Sequence, residues 1–433
     1  MKAKMIFMAL LLIAISPACA FADGPAKIDS GDTAFVLLSA ALVMLMTPGL
    51  ALFYGGMVRG KNVLGTLMQS FVAIALISVQ WILFGYSLAF GPDVGGVIGS
   101  LDWFGLTGVG AMPNADYAPT VPHLAFMIYQ AMFAVITPAL ISGAIAERMK
   151  FSAFLLFMLL WSTFVYDPIA HWLWGTGGWL KNMGALDFAG GIVVHISSGI
   201  SALAAALMLG RRQGFPHEPM YPHNLPMTVL GAGLLWFGWF GFNAGSALSA
   251  GVLSTWAFVA THASAVAATL VWVVIEWLHR GKPTMFGAAT GSVAGLATVT
   301  PASGFISPVA ALIIGLAAGS VCYLALNMKS KFGYDDSLDA FGVHGVGGIV
   351  GTLALGLFAQ LMINPSGANG LFYGNPGLFY TQLLAVGVSV AYSFGMTFIL
   401  LKAIDLVCGL RLEDEDERKG LDISQHGERG YTP

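Results

Sequence analysis

Eleven apolar segments, each about as long as a helix must be to cross a bilayer's hydrocarbon core, occupy most of the chain. They run over 32–58, 62–90, 123–147, 151–173, 188–210, 225–246, 253–279, 284–300, 304–328, 340–361 and 376–407. What remains could not cover a water-soluble globule, because charged residues make up 9% of the 433 against about 25% in soluble domains. The surface must therefore meet lipid or other helices, which excludes a soluble enzyme and a disordered chain. A net charge of −3 offers no basic field for nucleic acid. The 55 glycines suit helices that approach one another closely inside a membrane. The fold class is an all-α polytopic membrane protein with eleven transmembrane helices.

The ends and loops orient it. Lys2 and Lys4, the apolar run from Met5 to Ile15 and the small residues Ala18, Ala20 and Ala22 read as a cleavable signal peptide over 1–22, which leaves the mature N-terminus outside. Alternate connectors hold Arg59, Lys61, Arg148, Lys150, Arg211, Arg212, Arg280, Lys282, Lys329 and Lys331, whereas the opposite set holds Lys181 alone. The positive-inside rule puts the first set in the cytoplasm. After eleven crossings the tail, 408–433, is cytosolic, and residues 23–407 form the membrane domain of a cell (inner) membrane protein. Cys19 falls in the removed segment, so Cys322 and Cys408 indicate no disulfide framework.

Eleven divides as five plus five plus one peripheral helix. The fifth segment contains DFAGGIVVH, from Asp187 to His195, and the tenth contains DAFGVHGVGG, from Asp339 to Gly348. Each places an acid upstream of a histidine in a glycine-rich helix, at a spacing of eight in one and five in the other. Two consecutive five-helix units have opposite topology, the inverted repeat that builds a site at their interface near the midplane.

Ionisable residues at bilayer depth mark a pathway or site by default. His195 and His344, at matching places in the two units, read as a joint pore feature: two hydrogen-bonded neutral imidazoles meet a small polar solute without adding charge. Asp187 caps the fifth segment, a role compatible with orienting groups that bind a cation. His262 has no counterpart in the other half. Glu276 pairs naturally with Arg280 at a helix end, and His123 and His171 sit at span ends as anchors. A tryptophan face binds cations, so Trp174 reads as a cation site or as an interfacial anchor. Phe133 and Phe242 read as core packing. Gly55–Asn62 has phosphate-loop spacing, but Asn62 replaces the magnesium-binding hydroxyl and the segment ends a membrane helix, so a nucleotide site is rejected.

The motifs DFAGGIVVHISSG, FGWFGFNAGSALS, FGVHGVGGIVG and ALFYGGMVRGKN together resemble the ammonium transporter (Amt/Rhesus) family over essentially the whole mature chain. The resemblance implies a homotrimer of eleven-helix protomers, each with its own narrow pore and no cofactor, moving ammonium or ammonia with methylammonium as an analogue. Position by position it implies twin pore histidines at His195 and His344 and a phenylalanine gate at Phe133 and Phe242. The outer recruitment site would be Trp174 and Ser246 over Phe133, supported by Asp187. Gln130, Trp239 and Thr300 would line or support the pore, with Tyr54 near its inner end. Trp174, Phe133 and Ser246 place the resemblance in the bacterial-type ammonium-transporter branch. One residue is inserted between Trp174 and Asp187 and one is deleted between Thr300 and His344, and Asp167 is an acid the pattern does not lead one to expect. The tail CGLRLEDEDERKGLDISQHGERGYTP is similar to the family's ordered cytosolic tail, which stacks on a neighbouring protomer and helps dock a PII-type signalling protein. Two rival functions follow from the same residues: an ammonium sensor signalling through the tail with transport secondary, and a membrane-embedded enzyme, which the lack of a nucleophile or metal constellation disfavours.

Overall fold

A computed structural model describes residues 27–431; the signal-peptide expectation and Cys19 lie outside the described residues. Among the described residues, ten helices are long and apolar enough to cross a membrane: α1 Ser30–Met57, α2 Gly60–Phe90, α3 His123–Ile145, α4 Phe151–Asn182 (interrupted by a turn at 175–178), α5 Gly191–Leu209, α6 Leu225–Gly245, α7 Val252–Arg280, α9 Pro308–Phe332, α10 Phe341–Phe358 and α11 Pro376–Cys408. The eleventh apolar segment is α8, Met285–Val299, whose 15 residues reach about 22 Å before the chain turns through 300–306. α3 and α5 are central, with 89% and 83% of their apolar windows buried, and α2 and α11 are peripheral at 33%. Outward-facing side chains such as Leu38, Phe71, Leu230, Leu270 and Phe398 are exposed apolar surface of the kind that lipid covers.

Among the helix starts, one differs most from expectation. The segment anticipated at 304–328 begins four residues later, at Pro308. Ser307 Oγ accepts from the Ala310 N–H at 3.3 Å, and Pro308 fits the first helical turn, where its missing N–H is no loss. Gly304 stays in the preceding turn because Phe188 lies over it: a Cβ there would come within 2.1 Å of the ring.

The two five-helix units are visible in the packing. α1 lies along α6, the first helices of the two units. Glycines permit it: a Cβ on Gly231 would meet the Phe53 nitrogen at 2.3 Å, and one on Gly238 the Met46 side chain at 2.3 Å. α1 packs on α3 as α6 packs on α8, and α3 on α5 as α8 on α10. The entry to α5 is bonded to the exit of α8 (Phe188 N–H to the Pro301 carbonyl, 3.1 Å), and the entry to α10 to the exit of α3 (Leu338 N–H to the Gly143 carbonyl, 2.9 Å). That exchange is what an inverted pair requires.

The sequence pairing of Asp339 with Asp187 is corrected by the capping geometry. Asp187 accepts from the N–H groups that open α5. The residue doing so for α10 is Asp336, whose carboxylate accepts from Ala340 and Phe341 N–H at 3.1 and 2.8 Å. Asp336 stands eight residues before His344, the same interval as Asp187 to His195. Asp339 is instead ion-paired to Lys329.

Connectors carrying the arginines form one face of the molecule, opposite Trp174. Arg212 bridges Glu147 at 3.1 Å and Asp335 at 2.8 Å, and Arg59 also reaches Glu147 at 2.8 Å. Burial opposes ionisation of Glu147, but the Arg212 and Arg59 guanidiniums outweigh it and hold the carboxyl below its usual range. Asp335 is likewise buried and likewise held low by Arg212. The tail folds onto this face in two short helices, α12 Asp414–Lys419 and α13 Leu421–His426. Lys61 Nζ donates to the Glu417 and Arg418 carbonyls at 2.9 and 2.7 Å, and the Gly65 N–H to Asp422 at 2.8 Å. Glu417 takes both Arg411, at 2.7 Å, and the Gln213 N–H, at 2.8 Å.

Candidate functional site

Both histidines sit where the helix is locally widened. α5 and α10 each open with a π-helical stretch, Gly191–Ile196 and Phe341–Gly345, a deviation that inserts an extra residue per turn and re-aims side chains. His195 and His344 thereby meet edge to edge across the unit interface, Nδ1 to Nδ1 at 3.2 Å, with rings 15° from parallel. Such a contact is a hydrogen bond only if one Nδ1 carries the proton and donates to the other. That leaves Nε2 of the pair to face outward, and His195 Nε2 is buried without a partner.

Aromatic rings fix the pair from one side. Trp239 stacks on His195 at 5.5 Å and 23°. Its indole N–H donates to Thr300 Oγ1 at 2.9 Å, and that hydroxyl donates to the Leu296 carbonyl at 2.8 Å. Trp239 and Thr300 therefore form a single brace behind His195. The cavity at the histidines measures about 10 Å³ and is walled by Leu, Ile, Val, Met and Phe side chains besides the two imidazoles and Trp239. A volume of that size is about the minimum for one water-sized molecule. An ion with its hydration shell does not fit there.

Above the histidines, Phe133 and Phe242 lie ring to ring at 4.2 Å, both 1% exposed. Phe242 lines the histidine cavity, and Phe133 packs against Trp174, which lines a second cavity, a mouth of about 190 Å³. Trp174 stands at right angles to Phe133 at 5.9 Å. Its indole N–H donates to the Asp187 carbonyl at 2.8 Å, which turns the ring face toward the mouth. Ser246 Oγ lies in the same wall, donates to the Phe242 carbonyl at 2.9 Å and touches Tyr129 Oη at 3.2 Å. Gln130 also lines the mouth, and its Oε1 is buried without a partner. A ring face, a hydroxyl and an amide oxygen around a small cavity are groups that hold a compact cation.

Asp187 reaches Trp174 through its backbone and caps α5 with its carboxylate. Its two oxygens accept from Gly190, Gly191, Ile192 and Val193 N–H at 2.8, 2.7, 2.8 and 3.1 Å. These bonds saturate the carboxylate, so it meets the mouth through the backbone carbonyl that orients Trp174. Tyr54 does not line the histidine cavity. Its hydroxyl donates to the Leu140 carbonyl at 3.1 Å and its ring covers Gly143, so it locks α1 to α3 while Leu140 forms the cavity wall.

The anchoring residues behave as expected of them. His123 accepts from or donates to Tyr86 Oη, and His171 bridges the Ala89 carbonyl and Asp93 at 3.0 and 2.9 Å. Glu276 differs: it bonds Thr284 at the start of α8, by N–H at 3.0 Å and hydroxyl at 2.9 Å, rather than Arg280, which reaches Asn327. Asp167 lies buried between α2 and α4, accepting from Gln80 Nε2 at 2.7 Å, away from the path. Tyr129 escaped the sequence reading. It lies one helical turn before Phe133 on the same face of α3, and its hydroxyl ties α3 to the Gly241 and Phe242 carbonyls at 2.9 Å each.

Comparison with known proteins agrees over nearly the full chain. The profile of the Ammonium Transporter Family matches residues 34–431. The ammonium transporter of Bacillus subtilis (strain 168) is 52% identical over 402 residues, spanning 93% of this chain and 98% of that protein. Among solved structures, the crystal structure of Saccharomyces cerevisiae Mep2 matches with a TM-score of 0.85 at 35% identity, over 90% of this chain and 89% of that one. A structure described as Sensor Amt Protein matches with a TM-score of 0.85 at 30% identity, over 92% and 98%.

Proposed function

Because the chain belongs to the ammonium transporter family, we propose that it moves ammonium across the cell membrane as ammonia through the histidine-lined path of each protomer. Ammonium is gathered from the outer side by the Trp174 face, Phe133 and Ser246, with Gln130 in the same wall and Asp187 holding Trp174 in place. A cation cannot proceed, since an uncompensated charge in a dry apolar passage costs several kcal/mol. The ion gives up its proton to solvent water at the mouth. Neutral ammonia passes when the Phe133 and Phe242 rings part, then exchanges hydrogen bonds with His195 and His344, whose shared proton lets the pair present both a donor and an acceptor. Potassium has no proton to shed and is refused at the same step.

The observation that carries this reading is the 3.2 Å imidazole pair inside an apolar cavity of about 10 Å³. The positive-inside count supports a cytosolic tail and an outward Trp174 in a cell inner membrane. The tail's close seat on the Arg-rich face supports a regulatory role, with a homotrimer as the working assembly and a PII-type protein as the partner that reads the tail. Purified protein in liposomes, with flux followed against voltage and pH, tests the transport reading. Ammonium-dependent flux is expected; binding of ammonium with no flux would favour the sensor.

A further inference from the structure

The mouth that receives the cation already contains one. Lys181 is the sole lysine or arginine in the connectors on the Trp174 side, and it lines the same cavity of about 190 Å³ as Trp174, Ser246, Tyr117 and Asp116. Its ammonium group donates to the Trp174 carbonyl at 3.0 Å and lies 6.0 Å from the centroid of the Tyr117 ring. A carbonyl oxygen and an aromatic face are the two kinds of contact that a free ammonium ion would seek here.

The ring beneath Lys181 is held rigidly. Tyr117 Oη donates to the Phe90 carbonyl at 2.6 Å and accepts from the Thr176 N–H at 3.1 Å, and the ring stacks on Phe126 at 5.1 Å and 12°. Tyr117 and Phe126 thus offer a fixed aromatic platform lining the same cavity as Trp174, part of which a side-chain cation already covers. Asp116, exposed on the same rim, carries the opposite charge.

We propose that Lys181 and Asp116 are specificity-determining residues of the mouth, Lys181 acting as a tethered alkylammonium that competes for the outer aromatic platform and Asp116 as the carboxylate that draws cations to it. The proposal rests on the mouth being the ammonium-gathering site. Lys181 raises the concentration at which the mouth fills, by like-charge repulsion. It also covers the ring face that the carbon atoms of a substituted ammonium would need, so it discriminates against methylammonium more than against ammonium. Asp116 works in the opposite sense on both ions. A purely positioning role through the bond to the Trp174 carbonyl makes a different prediction: loss of maximal rate with no change in half-saturation or in preference.

The test measures ammonium and methylammonium uptake in proteoliposomes of the full protein for the wild type, Lys181→Met, Lys181→Arg and Asp116→Asn. Lys181→Met is expected to lower the half-saturation concentration for ammonium by about two- to sixfold, the factor produced by a unit charge ~8 Å away at an effective dielectric of about 80 to 40. It should raise the uptake of methylammonium relative to ammonium. Lys181→Arg, which keeps the charge, should stay near the wild type, and Asp116→Asn should raise half-saturation by a similar factor. The shift in Lys181→Met should shrink in about 1 M impermeant salt, where screening falls to roughly 3 Å. The proposal is overturned if Lys181→Met alters neither half-saturation nor the methylammonium ratio, if it lowers maximal rate alone, or if its effect is indifferent to salt. Absence of flux in the wild type itself would instead overturn the transport reading beneath it.

Discussion

Gly199 of α5 lies directly against the backbone of Gly345 of α10: a Cβ on Gly199 would stand 2.0 Å from the Gly345 nitrogen. This contact brings the two π-helical openings close enough for His195 and His344 to meet. Gly199→Ala should therefore separate the helices or prevent their docking. Overpacking of this kind costs about 1–3 kcal/mol or more, and uptake should be lost in step with the spacing of the imidazoles. Thermal unfolding in detergent together with ammonium uptake checks it; wild-type values in both would show that the contact does not set the histidine geometry.

Thr300→Val removes the acceptor of the Trp239 indole and leaves a buried N–H unpaired, at a cost of about 1–3 kcal/mol. Because Trp239 backs His195, slower transport should accompany the lower unfolding temperature. Thr300→Ser keeps the hydroxyl and should restore both. If valine lowers stability but leaves uptake intact, the brace supports the fold and not the path.

The Arg212 cluster predicts an acid sensitivity with a definite sign. Glu147 and Asp335 have their folded values depressed. Their contribution is fully present above their unfolded values and is lost as pH falls through the lower folded ones. Wild-type stability should thus decline below about pH 4.5, the ordinary range for such groups. Arg212→Met strands the buried Asp335 carboxylate and leaves Glu147 to Arg59 alone, which should cost about 3–5 kcal/mol at pH 7 while flattening or reversing the decline on acidification. Unfolding temperatures at pH 7 and pH 4 for both proteins measure this; equal slopes would refute it.

Hydropathy made the architecture legible, because a spanning helix must be apolar along its length and the arginine-bearing loops must alternate. The two histidines were legible for the same reason, as ionisable groups where none is tolerated without purpose. Asp336 was hidden by its neighbours: Asp335, Asp336 and Asp339 all precede His344, and only the hydrogen bonds to Ala340 and Phe341 reveal which one caps α10. The π-helical openings left no mark that periodicity could detect, since five or six residues are too few. Without the family resemblance, Phe133 and Phe242 read as core packing and Trp174 as a cation site or an anchor; folding sets Phe133 between the other two rings. Lys181 read as a loop charge, and its seat on the Trp174 carbonyl depends on the turn at 175–178, which sequence spacing does not specify.

The most direct measurement compares ammonium and potassium flux in liposomes for the wild type and for the double variant His195→Ala, His344→Ala. The wild type is expected to carry ammonium and refuse potassium, and the double variant to lose transport or to lose that refusal. Full ammonium flux that still excludes potassium, in protein lacking both imidazoles, would contradict a passage whose selectivity depends on shedding a proton before entry into a histidine-lined, apolar path.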